Sequence, residues 1–437
     1  MRILQFIHDG WLKTQIEDPS ARATMVSLRV VFDGIEIARN VSKRSGSPRD
    51  FVNVPLQPIA QALAEHWWQW LYEPYRPLDP DAFKARHRFD SVTNGYAFPA
   101  VSVCSGGASS LLVAWRPEPS DSYAIEFITP ESPVQVAERA STEEQLMQIV
   151  EEALARLKGE SDAYSELRAA WNRVSESLQD PDELAYCRFA GRLGLDPYDP
   201  DVPDLTEFTN ALSPTLLDDI SDSANIEDLS ETVAWVDKEQ PRLKNAPTID
   251  ISGFGCPPDD SLDKPPYETG MDAARQLRQR YGVEHKRPHD SVAELFGGAL
   301  SPTRSALWQS GPASIRGLVQ RNGDDARIGA IARTARERHM SVCTAGYMAW
   351  ISNGEDTRAT TRGYTREQMA ARAFAREMLA PQDYLKAQAP SRGFTSDDIE
   401  ELAGQLMCPS DIVAWQASNA GIPLWNVPLE PASLAIV

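Results

Sequence analysis

The chain has 437 residues, with 63 Asp/Glu against 43 Lys/Arg and a formal net charge of −20. That length supports two or three domains with cores of their own. The acidic balance argues against a sequence-independent grip on nucleic acid, which needs clustered Lys and Arg.

The five cysteines, Cys104, Cys187, Cys256, Cys343 and Cys408, are scattered and lack C-x-x-C spacing. They suit reduced thiols better than a disulfide frame or a zinc knuckle. The opening MRILQFIHDGWLKT lacks the apolar core of a signal peptide, and no run approaches the roughly 18 apolar residues of a membrane span. A cytoplasmic protein without a membrane segment is expected.

In chain order, residues 1–158 read as an α/β domain. Residues 27–37, SLRVVFDGIEI, carry two strand-like runs around an Asp33-Gly34 turn. Over 56–71, Leu56, Ile59, Ala60, Leu63, Ala64, Trp67, Trp68 and Leu71 keep helical spacing. Strands are expected over 100–104 and 111–115, either side of the loop SGGASS, and over 123–129. Ser141 and Glu144 read as a capping box opening a helix over 141–157. Residues 159–245 read as all-helical, with Asp180-Pro181 starting one helix and Gly194 ending it.

The stretch 246–266 is rich in Pro, Gly and Asp and reads as a linker. Residues 267–437 form the last region, with an opening helix over 269–281, a hairpin over 314–331, and helices over 341–351, 368–379, 397–406 and 410–420. The expected fold is therefore α+β and multidomain. The helix pair 397–406/410–420 has helix-turn-helix spacing, but the second helix, SDIVAWQASNA, lacks the basic side chains of a DNA reader.

Two segments of the last region carry a resemblance. RERHMSV leads into Met340–Ile351, MSVCTAGYMAWI, and QMAARAFAREMLAP follows over 368–381. Over about residues 265–425 the chain resembles the ImmA/IrrE metallopeptidases, whose second motif is commonly written E-x-E-A-N-x-F-A-x-x-L-L-M-P. The resemblance implies a zincin-like C-terminal domain. It places the two metal histidines of H-E-x-x-H on Thr344 and Met348, the general-base glutamate on Ala345, and the third ligand on Ala370. Zinc catalysis needs three N, O or S ligands and an open position for water. Thr and Met are poor zinc ligands, and Ala can neither ligate nor take a proton. A degenerate, inactive peptidase without metal or cofactor is therefore expected.

The six histidines supply no replacement motif. His285 and His289 have i, i+4 spacing, but Pro288 interrupts a helix there, so a loop is expected. His66 falls off the apolar stripe, and His339 lies just before the degenerate motif. SGGASS lacks the Lys and Ser/Thr of a P-loop and reads as a tight turn. Trp70, on another face from Trp67 and Trp68, and Tyr347 and Trp350 are candidate anchors for a protein partner, since partner affinity concentrates in such aromatics.

The leading expectation is a pseudo-peptidase that works by binding a protein. The resemblance links it to bacterial stress response, toxin–antitoxin or anti-phage systems. The alternative is an active metal-dependent peptidase or another hydrolase with an unrecognised site. Oligomeric state and the identity of the partner are left open.

Overall fold

The computed structural model describes residues 2–428, apart from 77–79, 119–120, 159–160, 247, 260, 285, 301–305, 309, 353 and 355. It is mixed α/β, with many helices and several small sheets. Its contacts divide the chain into two compact units, the first ending at Leu205 and the second beginning at Thr206. Among the described residues, no helix is long and apolar enough to cross a membrane.

The first unit opens with an antiparallel sheet. Strand Met25–Phe32 pairs with Leu4–Ile7, with Ile35–Glu36 and with Val52–Pro55. The expected hairpin is present: Asp33 and Gly34 both have positive φ, 49° and 81°, as a two-residue turn matched to strand twist requires. A second sheet runs Ser132–Glu138, Ser110–Arg116, Ala100–Ser105.

Two helical expectations shift. The expected 56–71 helix breaks at His66 into Leu56–Glu65 and Trp67–Tyr72. The helix expected to start at Ser141 starts at Arg139, because strand Ser132–Glu138 runs directly into it. Ser141 does not cap; its hydroxyl donates to the Glu138 carboxylate at 2.7 Å.

The central polar feature of this unit is Glu73, buried after the Trp67–Tyr72 helix. Its carboxylate accepts from Arg86 Nη2 at 2.6 Å and lies 3.0 Å from His87 Nε2. The other ring nitrogen of His87 faces the Val103 carbonyl at 2.7 Å. Burial pushes the carboxyl up, but His87 and Arg86 outweigh it and hold the group at about 2. Gly194, at φ +76°, passes over this carboxylate; a Cβ there would lie 2.9 Å from Glu73 Oε1.

The expected helical region 159–245 is shared between the units. Helices Ser161–Ser177 and Pro181–Arg192 pack on the first core, with Trp171 edge-on to Trp67 at 5.1 Å. Asp180 caps the second of these as expected, accepting from the backbone N–H of Asp182 and Glu183. Helices Thr206–Ala211, Pro214–Ser221 and Ile226–Lys244 belong to the second unit.

The expected linker 246–266 is also part of that second unit. Strand Thr248–Asp250 joins its sheet, and Ile249, Ile251 and Phe254 are buried in its core. Pro and Gly break helical periodicity there, but apolar residues two and three apart still reach the interior.

The second unit is built on a mixed sheet. Strand Ile315–Asn322 sits between Asp325–Ile331 and Thr357–Thr361, while Thr248–Asp250 and Ala306–Trp308 both pair with Asp325–Ile331. Helix Ala335–Ile351 packs on this sheet and on helix Arg366–Leu379, which in turn packs along Pro266–Arg280. That last pair is close: a Cβ on Gly270 would lie 2.1 Å from the Ala370 carbonyl oxygen.

The Glu73 network predicts a pH signature. A carboxyl held below its ordinary 4.5 contributes stability that is complete above that value and is lost as pH falls towards 2. Glu73→Gln should remove about 3 kcal/mol at pH 7, as expected for breaking a buried ion pair. It should also flatten the loss of stability between pH 4.5 and 2. Urea titrations across that range check both.

Candidate functional site

Thr344, Ala345, Met348 and Ala370 lie in helices Ala335–Ile351 and Arg366–Leu379, which begin earlier than the expected 341–351 and 368–379. Thr334 and Glu337 form a capping box on helix Ala335–Ile351, and every residue from Ser341 to Trp350 is buried. Ala345, Met348 and Ala370 belong to one apolar cluster, with Tyr347, Trp350 and Phe374. Tyr347 packs on Phe374 at 5.3 Å, and Trp350 packs edge-on to Phe254 at 5.6 Å. The hydroxyl of Thr344 donates to the Met340 carbonyl at 2.8 Å. These residues do not fit a zinc ion. Among the described residues, no group of three His, Cys, Asp or Glu side chains stands close enough to hold one.

The three aromatic anchors need correction. Trp70, Tyr347 and Trp350 are 1%, 3% and 3% exposed. Trp70 packs on Phe89 at 4.7 Å because the short Trp67–Tyr72 helix lies between strand Ala100–Ser105 and helix Pro181–Arg192. Trp350 donates its indole N–H to Gly255. None of the three offers a surface to a partner in this conformation.

The SGGASS loop turns its acceptors inward: the buried Arg139 guanidinium donates to Ser105 Oγ and to the carbonyls of Gly107 and Ser110. A loop that wraps a cation is no anion cradle. His87 has an acceptor at each ring nitrogen, so neither is free to serve as a base. Cys104, near Glu73, is fully buried and its thiol is pushed up by that burial.

His289 lies in helix Pro288–Leu300 rather than in a loop, its ring 5.0 Å from that of His339. His339 Nδ1 is held by the Ala335 carbonyl at 2.7 Å, and burial lowers its pKa below the ordinary 6.5. His285 lies outside the described residues. His66 is half-buried against Gln69.

The outer edge of the sheet is closed by side chains. Along strand Thr357–Thr361, the Ala359 N–H donates to Asp219 and the Thr361 N–H to Gln368 Oε1, both at 2.9 Å. The Gln368 amide returns a bond to the Ala359 carbonyl at 2.8 Å, and Arg372 donates to the Thr361 carbonyl at 3.3 Å. Asp219 is held there by a two-bond fork from Arg358, at 2.8 and 2.9 Å. Gln368 thus takes the place of a neighbouring strand. The edge is not available to an added peptide strand.

Asp219 and Glu367 both pair with Arg358, and at the Thr361 end of this edge arginines gather. Arg372 and Arg376 sit one turn apart on helix Arg366–Leu379. Arg316 falls in the irregular step between Ile315↔Thr361 and Gly317↔Thr360. Arg362 follows the edge strand, its backbone N–H tied to Ser314. Arg333 adds a further cation to the field at Arg316.

Among the described residues, none of these five arginines has a carboxylate within 4.0 Å. Asp411 is the acid whose field reaches Arg376, and the Glu337 carboxylate, which the Arg316 side chain senses, is bonded to the backbone N–H groups of Arg333 and Thr334. Burial together with the fields of Arg376 and Arg316 brings Arg372 down to about 10, still cationic at neutral pH. The Tyr364 ring lies 5.5 Å from its guanidinium. Two buried polar atoms at this corner have no partner, Arg376 Nε and Ser314 Oγ.

In a chain of net charge −20, this arginine-lined corner is the candidate functional site. Sequence reasoning missed it because its members are spread over sixty residues of chain. The one legible signal was the i, i+4 pair Arg372/Arg376.

A second cleft, of about 570 Å³, is lined by Glu231, Trp235, Lys238, Glu239, Arg242 and Trp308 among others. Its charges are spent on each other, with Arg242 2.7 Å from Glu239.

No protein-family profile, curated protein or solved structure matches the chain. The burial of the aromatic anchors is itself testable. Trp70→Ala and Tyr347→Ala should each cost about 3–5 kcal/mol of stability, as core aromatics do. A loss under about 0.5 kcal/mol in urea denaturation, the range of ordinary surface substitutions, would place those rings outside the core.

Proposed function

We propose that the chain is a catalytically inactive, zincin-like protein of ImmA/IrrE type that acts by binding a protein partner. One observation carries this reading: the motif positions Thr344, Ala345, Met348 and Ala370 are buried, three of them within a single apolar cluster. Filling a metal site with apolar volume avoids an unpaired buried imidazole or carboxylate, which costs about 1–3 kcal/mol or more. Such a site cannot polarise a carbonyl or activate water.

The binding surface in this reading is the arginine-lined corner, and the partner presents an anionic group to it. Active members of the family cleave repressor-type proteins. An inactive member retains a regulatory or assembly role in the same settings: stress response, toxin–antitoxin or anti-phage systems in the bacterial cytoplasm. Long polyanions are disfavoured as ligands, because the acidic remainder of the chain repels them.

Elemental analysis of the purified full chain should find no stoichiometric zinc. Incubation with added zinc and unfolded protein substrates should give no cleavage above a chelator-treated control. One zinc per chain that is lost in His289→Ala or His339→Ala, or cleavage abolished by a chelator, would sink the inactive-site reading.

A further inference from the structure

We propose that the arginine-lined corner is a phosphoryl-binding site; this rests on the binding reading above and names its ligand. The geometry centres on Thr361. Its carbonyl accepts from Arg372, its strand partner is Ile315 next to Arg316, and its chain neighbour is Arg362. Arg376 stands one turn beyond Arg372. Guanidinium groups from three separate elements thus meet at one sheet corner, with Tyr364 beside Arg372.

Charge and valence select the ligand. A carboxylate brings one negative charge and satisfies one guanidinium fork. Several unpaired guanidiniums that repel one another call for an anion of higher charge. A phosphomonoester carries about −1.5 to −2 at neutral pH and presents three acceptor oxygens, enough to engage two or three forks at once. Two independent features point the same way. Ser314 is nine-tenths buried and its hydroxyl has no partner, and Arg376 Nε is buried and unpaired. Ser314, whose carbonyl accepts from the Arg362 N–H, adds a hydroxyl to the donors of this corner, the kind of donor that a phosphoryl group takes. The closed strand edge fits the same picture, since recognition at this corner runs through side chains rather than main-chain pairing.

The phosphoryl group has two possible sources, a small phosphate compound or a phosphorylated residue of the partner. The experiment separates them. Titration calorimetry on the full chain uses inorganic phosphate, pyrophosphate, a phosphoserine pentapeptide and the same peptide with glutamate in place of phosphoserine. The variants are Arg372→Met and the exposed Arg362→Ala, whose side chain makes no hydrogen bond or ion pair among the described residues and so tests the site without threatening the fold. Circular dichroism confirms folding of each.

Phosphoryl compounds should bind, with affinity falling as salt rises. Each variant should lose about tenfold in affinity, the equivalent of one charge-assisted bond. Inorganic phosphate or pyrophosphate binding as tightly as the phosphopeptide identifies a small-molecule source. A phosphopeptide at least about tenfold tighter than inorganic phosphate identifies a protein source. The glutamate peptide matching the phosphopeptide would overturn the phosphoryl assignment and leave the binding reading intact. No phosphoryl binding, or binding indifferent to both variants, would overturn the site altogether. In that case the inactive-protein reading is still judged on its own zinc and cleavage measurements.

Discussion

A helical stretch enclosed on all sides tolerates no unpaired polar group, and residues 341–350 of helix Ala335–Ile351 are under that constraint. The sheet, helix Arg366–Leu379 and helix Pro288–Leu300 pack around it, and Phe296 presses so closely on Gly346 that a Cβ there would lie 2.3 Å from its ring. Every side chain along its buried stretch must be apolar or satisfied locally. Thr344 meets the rule with a bond to Met340, and Ser352 at the helix end with one to Met348. Met348, Ala345 and Cys343 meet it by being apolar or weakly polar. The apolar character of Ala345 and Met348 and the tight packing around them are two sides of one arrangement.

The two units treat buried charge differently. In the first, Glu73 is matched by Arg86 and His87, and Arg139 by three acceptors from the loop it pins and by the Leu71 carbonyl. Matched networks of this kind lock geometry rather than invite ligands. In the second, Asp219–Arg358 and Glu377–Arg275 are likewise matched, but among the described residues Arg316, Arg372 and Arg376 have no carboxylate partner. An unbalanced group of this kind costs stability through mutual repulsion, and charge that works against the fold is a mark of binding sites.

Much of the local structure was legible in the sequence, since short-range rules govern it. Asp33-Gly34 dictated the turn and Asp180-Pro181 the helix start, and the hairpin expected over 314–331 is present with Gly323 and Asp324 as its turn residues. Failures came where tertiary context overrode local pattern. Ser141 has the chemistry of a cap, yet the preceding strand delivers the chain into the helix two residues earlier. Trp70 falls off the apolar stripe only if 56–71 is one helix; the break at His66 places the Trp67–Tyr72 helix among neighbours that bury Trp67, Trp68 and Trp70 alike. The Pro- and Gly-rich segment after Asn245 lacks periodicity but still supplies a strand and three core residues. The arginine corner was illegible because strand pairing, not sequence proximity, assembles it.

The side-chain closure of strand Thr357–Thr361 has a further consequence. An unpaired strand edge is a template on which other chains add, and native proteins protect such edges from association. Here the protection is supplied from two distant parts of the chain, Asp219 in helix Pro214–Ser221 and Gln368 in helix Arg366–Leu379. During synthesis the strand emerges with Asp219 already made and Gln368 still to come. Until helix Arg366–Leu379 docks, the Thr361 N–H and the Ala359 carbonyl stand open. The colloidal safety of the folding chain therefore hinges on how quickly that one helix closes over the sheet, and a destabilised helix would show itself first as self-association.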